Sequence, residues 1–436
     1  MAEIRPFRGV HYSESLDNDL SDIICPVYDI ITSPQQQELY LKNEYNFVRL
    51  EFGRELPQDT AADNKYTRSA STLENWLEQG ILAVDKAPAL YLHEQYFTYQ
   101  GRGYKRRGIT CLVRLEEWDK MIVRPHEGTL ADPKSDRISL LRALQANTSP
   151  VLAFYEDRLQ QISPLLTAQE RHRPMISVRD VDGESHDVWA ITDPEVINQV
   201  SSSLTGQSIY IADGHHRYES ALAYQREKRA YSASVSGDEP FNFVMMTLVE
   251  SSDSGLLILP PHRLVRGISK SALNELVLKL PVFFEIESLP LKVPDVWEQV
   301  DRLLAGTDKI SLVLFGMALD RILVLSLRDM AAVGQMMPHF HSELYKSLDV
   351  SIVDHLILEE LLGLDREKEK ALLAYSYDRM DALNRVLVQE YQLALLISPA
   401  RVEMIKAIAD VGDKMPRKST YFYPKLPAGL IFNRLV

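Results

Sequence analysis

The chain has 436 residues, 45% of them hydrophobic, which is enough for two or three domains with substantial cores. Its two cysteines, Cys25 and Cys111, are too few for a disulfide framework and lie outside any CxxC or Cys/His spacing. The formal net charge of −13 repels nucleic acid and anionic membranes, and the N-terminus lacks a basic segment followed by an apolar one. We therefore expect a globular protein of the reduced cytoplasm that binds neither nucleic acid nor membrane. Small anions remain open as ligands.

The first predicted section, residues 1–104, is α+β. It mixes short apolar runs, such as DIICPVYDII and NFVRLEF, with a polar helical stretch at residues 60–79 that ends at Gly80. Residues 105–238 then alternate strand and helix patterns, which is typical of an α/β core. The predicted strands are RGITCLVRLEEW, VLAFYED and SIYIAD, and the predicted helices are DPKSDRISLLRALQAN, DPEVINQVSSSL and HHRYESALAYQREKRA.

The last predicted section, residues 239–436, is a mixed α/β domain. Strand patterns occur at FNFVMMTLVE, ISLVLFG and RILVLSL, and helical spacing occurs in VDHLILEELLG and PARVEMIKAIADVG. Proline and glycine are scattered rather than collected in a linker, so we expect interlocking domains. The predicted fold class is α/β, or α+β when the chain is taken as a whole.

The strongest candidate site lies in IADGHHRYESAL, where a short apolar strand ends at Asp213-Gly214 and a helix starts at once. The first N–H groups of such a helix have no helical acceptor and form an anion site. Gly214 permits close approach, and His215, His216 and Arg217 add donors and positive charge. The ordinary alternative is an Asp N-cap with a solvated first turn. Cations at a helix N-terminus oppose its dipole, however, and this favours an anionic ligand.

A second candidate lies in RPHEGT, just ahead of the predicted helix DPKSDRISLLRALQAN. Glu127 could act as a general base there, if burial or a neighbour keeps it near the reacting proton. An inert carboxylate at a helix start, near an N-cap at Thr129, explains the same pattern equally well. The residues alone leave both interpretations open.

The third candidate is KMPRKSTYFYPK near the C-terminus, which is rich in cations, hydroxyls and aromatic rings although the protein is acidic. It is not a Walker A loop, because the residue directly before Lys418 is not glycine and the spacing from Gly412 to Lys418 does not fit that motif. Lys418 and Lys425 could reach a bound phosphate. A solvated basic patch is the alternative.

Weaker patterns predict no chemistry. His339 and His341 have the spacing of a strand metal pair, but no third ligand is identifiable, so we interpret them as structural. GRGYKRRG lacks the GxGxxG spacing and is placed in a hairpin loop. No GxSxG or HExxH motif occurs.

Taken together, these motifs resemble a large bacterial and archaeal family described as a domain of unknown function, whose members share a DGHHRYE signature. The resemblance extends over the whole chain. Its landmarks are PVYDII, NFVRLE, PHEGTL, DGHHRYESAL, PPHRL, LDVSIVDHLILE and MPRKSTYFYPKLPAGL.

A more distant resemblance concerns residues 105–238. Their order of strand, PHE, helix, strand and then strand, DGHHR, helix is similar to the core shared by ParB partition proteins, sulfiredoxin and archaeal free serine kinases. Those proteins hold nucleotide phosphates in a Gly-x-x-Arg or Gly-x-His-Arg turn, so the resemblance implies a ParB/sulfiredoxin-like nucleotide-binding core. His215 stands where sulfiredoxin has its reactive cysteine, and the acidic continuation does not suggest the DNA-binding part of ParB. Of these three groups, the free serine kinases remain as the best guide to the function.

The resemblance to the serine kinases implies a role for each candidate. Glu127 would accept the proton of the serine hydroxyl, and Asp213 would orient the nucleophile or a metal. The donor phosphates would be bound by Gly214, His215, His216, Arg217, Lys418 and Lys425. Supporting positions would be taken by His126, Arg137, Ser419 and Thr420.

The predicted function is therefore a small-molecule kinase, with free L-serine as the first acceptor to test and a nucleotide or pyrophosphate as donor. Mg²⁺ is expected with the donor. The partners are then a phosphate donor and a hydroxylated metabolite. A nucleotide-binding regulatory module without turnover and a phosphohydrolase remain as alternatives.

Overall fold

A computed structural model describes residues 2–14, 16, 19–180, 183–231, 236–305, 309–364, 368 and 371–436. The chain separates into two compact units. The first unit comprises Met1–Pro125, Thr129–Leu257 and Pro424–Val436, and the second comprises His126–Gly128 and Ile258–Tyr423.

The strands are, in chain order, β1 (Ile4–Arg5), β2 (Val10–Tyr12), β3 (Leu82–Val84), β4 (Leu90–Tyr99), β5 (Arg102–Arg114), β6 (Val123–Arg124), β7 (Ala146–Asn147), β8 (Val151–Tyr155), β9 (Ile176–Arg179), β10 (Ser185–Ile191), β11 (Ile209–Asp213), β12 (Phe243–Glu250), β13 (Leu257–Leu259), β14 (His262–Val265), β15 (Phe284–Pro290), β16 (Ser311–Phe315), β17 (Arg321–Leu327), β18 (Leu373–Ser376), β19 (Leu393–Leu396), β20 (Tyr421–Tyr423) and β21 (Asn433–Arg434).

The α-helices are α1 (Leu20–Ile23), α2 (Ser33–Lys42), α3 (Val48–Glu51), α4 (Lys65–Glu78), α5 (Ala131–Leu144), α6 (Ile162–Gln169), α7 (Pro194–Leu204), α8 (His215–Tyr231), α9 (Lys270–Phe283), α10 (Val296–Ala305), α11 (Met330–Gly334), α12 (Glu343–Lys346), α13 (Asp349–Ser351), α14 (Arg379–Leu387) and α15 (Val402–Asp410). A π-helix spans Ile352–Leu361, and 3₁₀ turns span Tyr28–Ile30, Trp118–Lys120 and Pro240–Asn242.

A sheet of nine strands, counted over the described residues, forms the centre of the first unit. Its order is β6-β11-β8-β12-β5-β4-β10-β9, with β1 also paired to β5. The β6–β11 and β8–β12 pairs are parallel, and the other pairs are antiparallel. Strands from residues 1–104 and from residues 105–238 thus share one sheet, and the α/β class is confirmed.

Both faces of this sheet are buried, as alternation along β4 shows. Leu90 and Leu92 join one hydrophobic cluster, whereas Tyr91 between them joins the other. Helices α7 and α8 pack into the first cluster, and α4 and most of the buried face of α5 pack into the second. Buried residues thus cover both faces of the sheet.

The second unit contains a six-stranded antiparallel sheet, counted over its described part, in the order β15-β17-β16-β19-β14-β18. Its core includes the buried strand residues Val313, Phe315, Val324 and Ala394. With its helices this sheet makes the second unit a mixed α/β region, whereas β12 and residues 424–436, which the sequence assigned to the C-terminal domain, belong to the first unit.

Several sequence interpretations need correction. GRGYKRRG lies mostly within β5, because the hairpin turn is only Gln100-Gly101, both with positive φ. The helix predicted at VDHLILEELLG is largely a π-helix, in which the Leu362 N–H donates to the Ile357 carbonyl. His341 lies in the turn between α11 and α12 rather than in a strand, and its Nδ1 is 2.6 Å from Asp413.

Within the described parts of the chain, no helix has the length and apolar character that crossing a membrane requires.

Candidate functional site

The candidate site in the first unit is the DGHHR turn, residues 213–217, which joins β11 to α8. Gly214 occupies the N-cap position, because its carbonyl accepts the first helical hydrogen bond from the Tyr218 N–H at 3.1 Å. Asp213 is therefore not the N-cap, and its carboxylate is used elsewhere. The first turn of α8 presents amide N–H groups for which the helix itself has no acceptor.

Gly214 is required at this position for two reasons. Its φ of +94° lies in the region that favours glycine. A Cβ built on it would also lie 2.8 Å from Nε and 3.0 Å from Cζ of Arg217. The guanidinium thus packs directly against the backbone of the turn, and a Cβ at position 214 would displace it.

Three groups hold the Arg217 guanidinium in place. Nη2 donates to Asp213 Oδ2 at 2.8 Å, and Nη1 donates to Ser149 Oγ at 3.2 Å and to the Pro150 carbonyl. The buried Nε has no hydrogen-bond partner among the described residues. A buried donor of a charged group that lacks an acceptor is costly, so it is expected where a ligand supplies the acceptor.

Asp213 is clamped between two cations. Its Oδ2 pairs with Arg217, and its Oδ1 pairs with Lys425 from the C-terminal segment of the first unit. Burial raises the pKa of the Asp213 carboxyl, but Lys425 and Arg217 outweigh burial and hold the pKa well below its ordinary value. The three side chains are 11–16% exposed, and their formal charges sum to +1. This favours an anion at the turn.

The same arrangement does not fit a Mg²⁺ ion on Asp213. Both carboxylate oxygens already face cationic partners, and Lys425 would have to leave before a divalent ion could approach. The predicted role of Asp213 in holding a metal therefore finds no support in this arrangement.

The two histidines of the turn differ in their surroundings. His215 is buried, at 5% exposed. His216 Nε2 accepts the Leu130 backbone N–H at 2.9 Å, so its ring hydrogen must be on Nδ1. Burial lowers the pKa of His216, which agrees with a neutral ring. His216 thus fastens the start of α5, and only its Nδ1 remains as a donor for a phosphate.

The start of α5 also corrects one expectation. Thr129 is not its N-cap, since that position belongs to Leu130, which has no side-chain cap bond. The Thr129 hydroxyl instead donates to Glu219 Oε2 on α8 at 2.5 Å.

Five of the predicted site residues lie together in the second unit. Glu127 forms a parallel bridge with Met415, and its Oε1 accepts the Lys418 backbone N–H at 2.9 Å. His126 Nε2 lies 2.9 Å from Thr420 Oγ1, whereas the Ser419 hydroxyl donates to the Pro416 carbonyl.

Lys418 has a backbone conformation that sets the direction of its N–H. It adopts φ +54°, which is uncommon for a residue with a side chain, and this conformation aims its N–H at Glu127. Lys418 as a whole is exposed. The segment 415–420 therefore fixes the Glu127 carboxylate through backbone contacts.

Arg137, predicted as a supporting residue, belongs to the first unit. It lies on α5 at 6% exposed, pairs with Asp136, and donates from Nη1 to the Glu51 carbonyl at 3.0 Å. Its guanidinium lies over the ring of Tyr28, 3.8 Å from the ring centroid. Burial raises the pKa of Tyr28, while Arg137 and Arg217 lower it.

Sequence reasoning missed Glu51 and Ser149. Glu51 is fully buried at the end of α3, and its Oε1 accepts the Ser149 hydroxyl at 3.0 Å. A glutamate inside the apolar run NFVRLEF was the available signal, because a charge is rarely buried without a partner. Ser149 offered no signal in the sequence.

A possible metal cluster, found within the described residues, lies elsewhere in the first unit. Asp180, Glu184 and His186 have ligand atoms within 4.8 Å of one another in the β9–β10 region. Strand β9 is six positions from β11 in the sheet, or roughly 29 Å at the usual strand spacing. The cluster is thus remote from the DGHHR turn. Its side chains also bond to one another and to Gln95 and His93, so it is not assigned an ion.

The comparisons with known proteins concern the family and the fold. No curated protein matches the chain. It is similar to a mutant free serine kinase in complex with AMP (TM-score 0.35, 12% identity, covering 74% of this chain and 92% of that one). It is also similar to a conserved hypothetical protein from Pyrococcus furiosus, with a TM-score of 0.34 and 13% identity over 74% of this chain and 95% of that one. A third similar structure is SbnI with C-terminal truncation from Staphylococcus aureus, with a TM-score of 0.34 and 11% identity over 73% of this chain and 85% of that one.

At such identities the likeness concerns the fold alone. The family comparison is firmer, since one family model matches residues 4–351. The chain therefore belongs to the family described as protein of unknown function (DUF1015).

Proposed function

We propose that this protein is a small-molecule kinase that transfers a phosphoryl group from a nucleotide or pyrophosphate to the hydroxyl of a metabolite, with free L-serine as the first acceptor to test. The observation that supports it is the DGHHR turn itself. It combines a helix N-terminus, a net charge of +1 in the Asp213–Arg217–Lys425 cluster and an unpartnered Arg217 Nε.

Phosphoryl transfer suits these residues because it needs positioning and charge stabilisation rather than covalent help. In the proposed reaction the acceptor oxygen forms a bond to the terminal phosphorus of the donor, and the bond to the departing nucleotide or phosphate breaks. Negative charge spreads over the transferring oxygens. Arg217, Lys425 and the first amides of α8 would bind and stabilise those oxygens.

Glu127 is proposed as the base that accepts the proton of the acceptor hydroxyl. This role rests on the sequence resemblance to the serine kinases, and the described geometry adds that the carboxylate has a fixed position. The Lys418 N–H holds Oε1, and a base must be held within hydrogen-bond reach of its proton. Lys418, an exposed residue, stays a proposed phosphate ligand through its ammonium.

Mg²⁺ remains the expected partner of the donor phosphates, since nucleotide phosphates usually carry it. No side chain is assigned to it, because Asp213 is committed to Lys425 and Arg217. Asp213 is therefore proposed to hold these two cations in place rather than to bind metal.

A regulatory module that binds a nucleotide without turnover is the second candidate. The specific observation in its favour is that Asp213, one of two predicted catalytic carboxylates, has both oxygens engaged in ion pairs. A carboxylate in two ion pairs is a poor base, because its pKa lies well below the ordinary value.

The test is a set of reactions of the purified full-length protein with L-serine, Mg²⁺ and ATP, ADP or pyrophosphate, analysed for O-phosphoserine by mass spectrometry. Formation of O-phosphoserine with one donor supports the kinase. Donor binding without product supports the regulatory module, and phosphate release without any acceptor supports a hydrolase. Absence of product with every donor overturns the serine kinase.

A further inference from the structure

A line of buried and partly buried polar contacts connects helix α3 to Arg217. Glu51 Oε1 accepts the Ser149 hydroxyl at 3.0 Å, and the same Ser149 oxygen accepts Nη1 of Arg217 at 3.2 Å. Beyond Arg217 the line continues to Asp213 Oδ2 and, from Oδ1, to Lys425. All of these residues belong to the first unit.

The placement of Glu51 is energetically demanding. It is 0% exposed, and its second oxygen, Oε2, has no hydrogen-bond partner among the described residues. Its Oε1 also accepts the Tyr28 backbone N–H at 3.4 Å, while Nη1 of Arg137 is 3.7 Å from Oε1, too far for a hydrogen bond. A carboxylate buried on such terms destabilises the fold unless something else compensates.

Ser149 links two charged groups that do not touch. Its hydroxyl has one hydrogen and can donate to one acceptor while accepting from another donor. Glu51 takes that hydrogen, which turns the lone pairs of Ser149 toward Arg217. The Pro150 carbonyl holds the same Nη1 from a second direction, so that the guanidinium plane is fixed on this side.

We propose that Ser149 and Glu51 are positioning residues, which hold the Arg217 guanidinium in the orientation that presents Nε to a phosphate oxygen of the donor. The inference rests on the proposed function, because it assumes that the DGHHR turn binds phosphate. Neither residue is proposed to touch the ligand.

The charge state of Arg217 supports the proposal that its neighbours act on its orientation. Burial lowers the pKa of its guanidinium, but Asp213, with further contributions from Asp29, Tyr28 and Glu51, raises it above the ordinary value. Arg217 is thus a permanent cation, and what remains to be controlled is its geometry. Three of the five N–H groups of the guanidinium are committed to Ser149, Pro150 and Asp213, and Nε is the nitrogen that has no hydrogen-bond partner among the described residues.

The test compares serine variants of the full-length protein by isothermal titration with ADP. Ser149→Ala removes the link and is expected to raise the Kd about tenfold, the loss of one hydrogen bond to a charged group. Ser149→Thr keeps a hydroxyl and is expected to stay within about twofold of the wild type. The matched control is Ser220→Ala, because Ser220 is 1% exposed, lines one cavity together with Ser149 and Arg217, and donates to the Lys134 carbonyl instead.

Glu51→Gln provides a second variant that preserves shape while removing the charge. If Glu51 acts through Ser149, the effects of Glu51→Gln and Ser149→Ala on the ADP Kd are not additive, and the double variant binds about as weakly as Ser149→Ala alone. A structural role would instead lower the unfolding midpoint of all variants, Ser220→Ala included, and leave the Kd of the folded protein unchanged. That result overturns the inference.

A readout without ligand separates this inference from the proposed function. The ¹⁵N-labelled Nε–H of Arg217 is expected to exchange slowly with solvent in the wild type and at least about fivefold faster in Ser149→Ala, since the guanidinium loses one of its anchors. If the wild type binds no phosphate donor but the exchange rate rises as expected, the proposed function fails and the positioning contact stands. Equal exchange rates in the two proteins overturn the positioning role itself.

Discussion

The substitution Gly214→Ala tests the geometry of the DGHHR turn most sharply. Alanine must adopt φ +94°, a left-handed conformation that costs about 1–2 kcal/mol for a residue with a Cβ. Its methyl group would also lie 2.8 Å from Nε and 2.9 Å from Nη2 of Arg217. The guanidinium must then move by several tenths of an ångström.

That movement is not free, although an arginine head group is usually flexible. Asp213, Ser149 and Pro150 hold this guanidinium, and weakening one bond to a charged group costs about 1.5–3 kcal/mol. We therefore expect Gly214→Ala to lower the free energy of unfolding by about 2.5–5 kcal/mol, the sum of the two effects. We also expect the Kd for ADP to rise at least about tenfold, because Nε no longer faces the turn.

Gly206→Ala is the matched control. Gly206 has a similar φ of +88°, but nothing lies within 4 Å of its Cβ position. Gly206→Ala should lower the free energy of unfolding by the backbone strain alone, about 1–2 kcal/mol, and should leave the Kd for ADP unchanged. Urea unfolding and isothermal titration of both variants provide the comparison. Equal losses of stability and equal ADP affinity in the two variants would refute the close packing of Arg217 on Gly214.

Three further predictions concern charged residues. Lys425→Met is expected to reduce the free energy of unfolding by about 1–3 kcal/mol in urea titrations, because Asp213 then keeps only Arg217 as its ion-pair partner. An unchanged free energy of unfolding would contradict a stabilising Lys425–Asp213 ion pair. In the wild type, the depressed pKa of Asp213 contributes stability above the unfolded pKa of about 3.9, which is lost as the pH falls below it. The loss of unfolding free energy between pH 5 and 3 should be smaller in Lys425→Met than in the wild type. Parallel curves of unfolding free energy against pH for the two proteins would contradict this prediction. Glu127→Ala should abolish product formation, measured by mass spectrometry, while ADP binding by titration stays within about twofold; loss of both would indicate a structural role.

Local chemistry predicted the DGHHR turn well. The apolar run before Asp213, the glycine after it and the helical spacing that follows are all short-range signals, and the structure places β11, Gly214 and α8 accordingly. The identity of the N-cap was less predictable. Asp is the usual N-cap, but here long-range cations compete for the carboxylate and Gly214 takes that position.

Contacts that join distant parts of the chain could not be predicted from the sequence. Lys425 was predicted to reach a phosphate, but its partner Asp213 lies 212 positions away, and no periodicity encodes such a pair. His216 was predicted as a phosphate ligand because it lies in the first turn of the helix after Gly214, whereas its Nε2 accepts the backbone N–H of Leu130. Tertiary packing decides which of several possible acceptors a side chain meets.

Titration of the full-length protein with ADP, ATP and pyrophosphate, in parallel with Arg217→Ala, tests the central claim most directly. The claim is that the DGHHR turn binds the phosphates of the donor through Arg217 and the N-terminus of α8. We predict saturable binding of at least one of these compounds by the wild type and a Kd at least about tenfold higher in Arg217→Ala. Equal affinity in the folded variant, or no binding by the wild type, would contradict it.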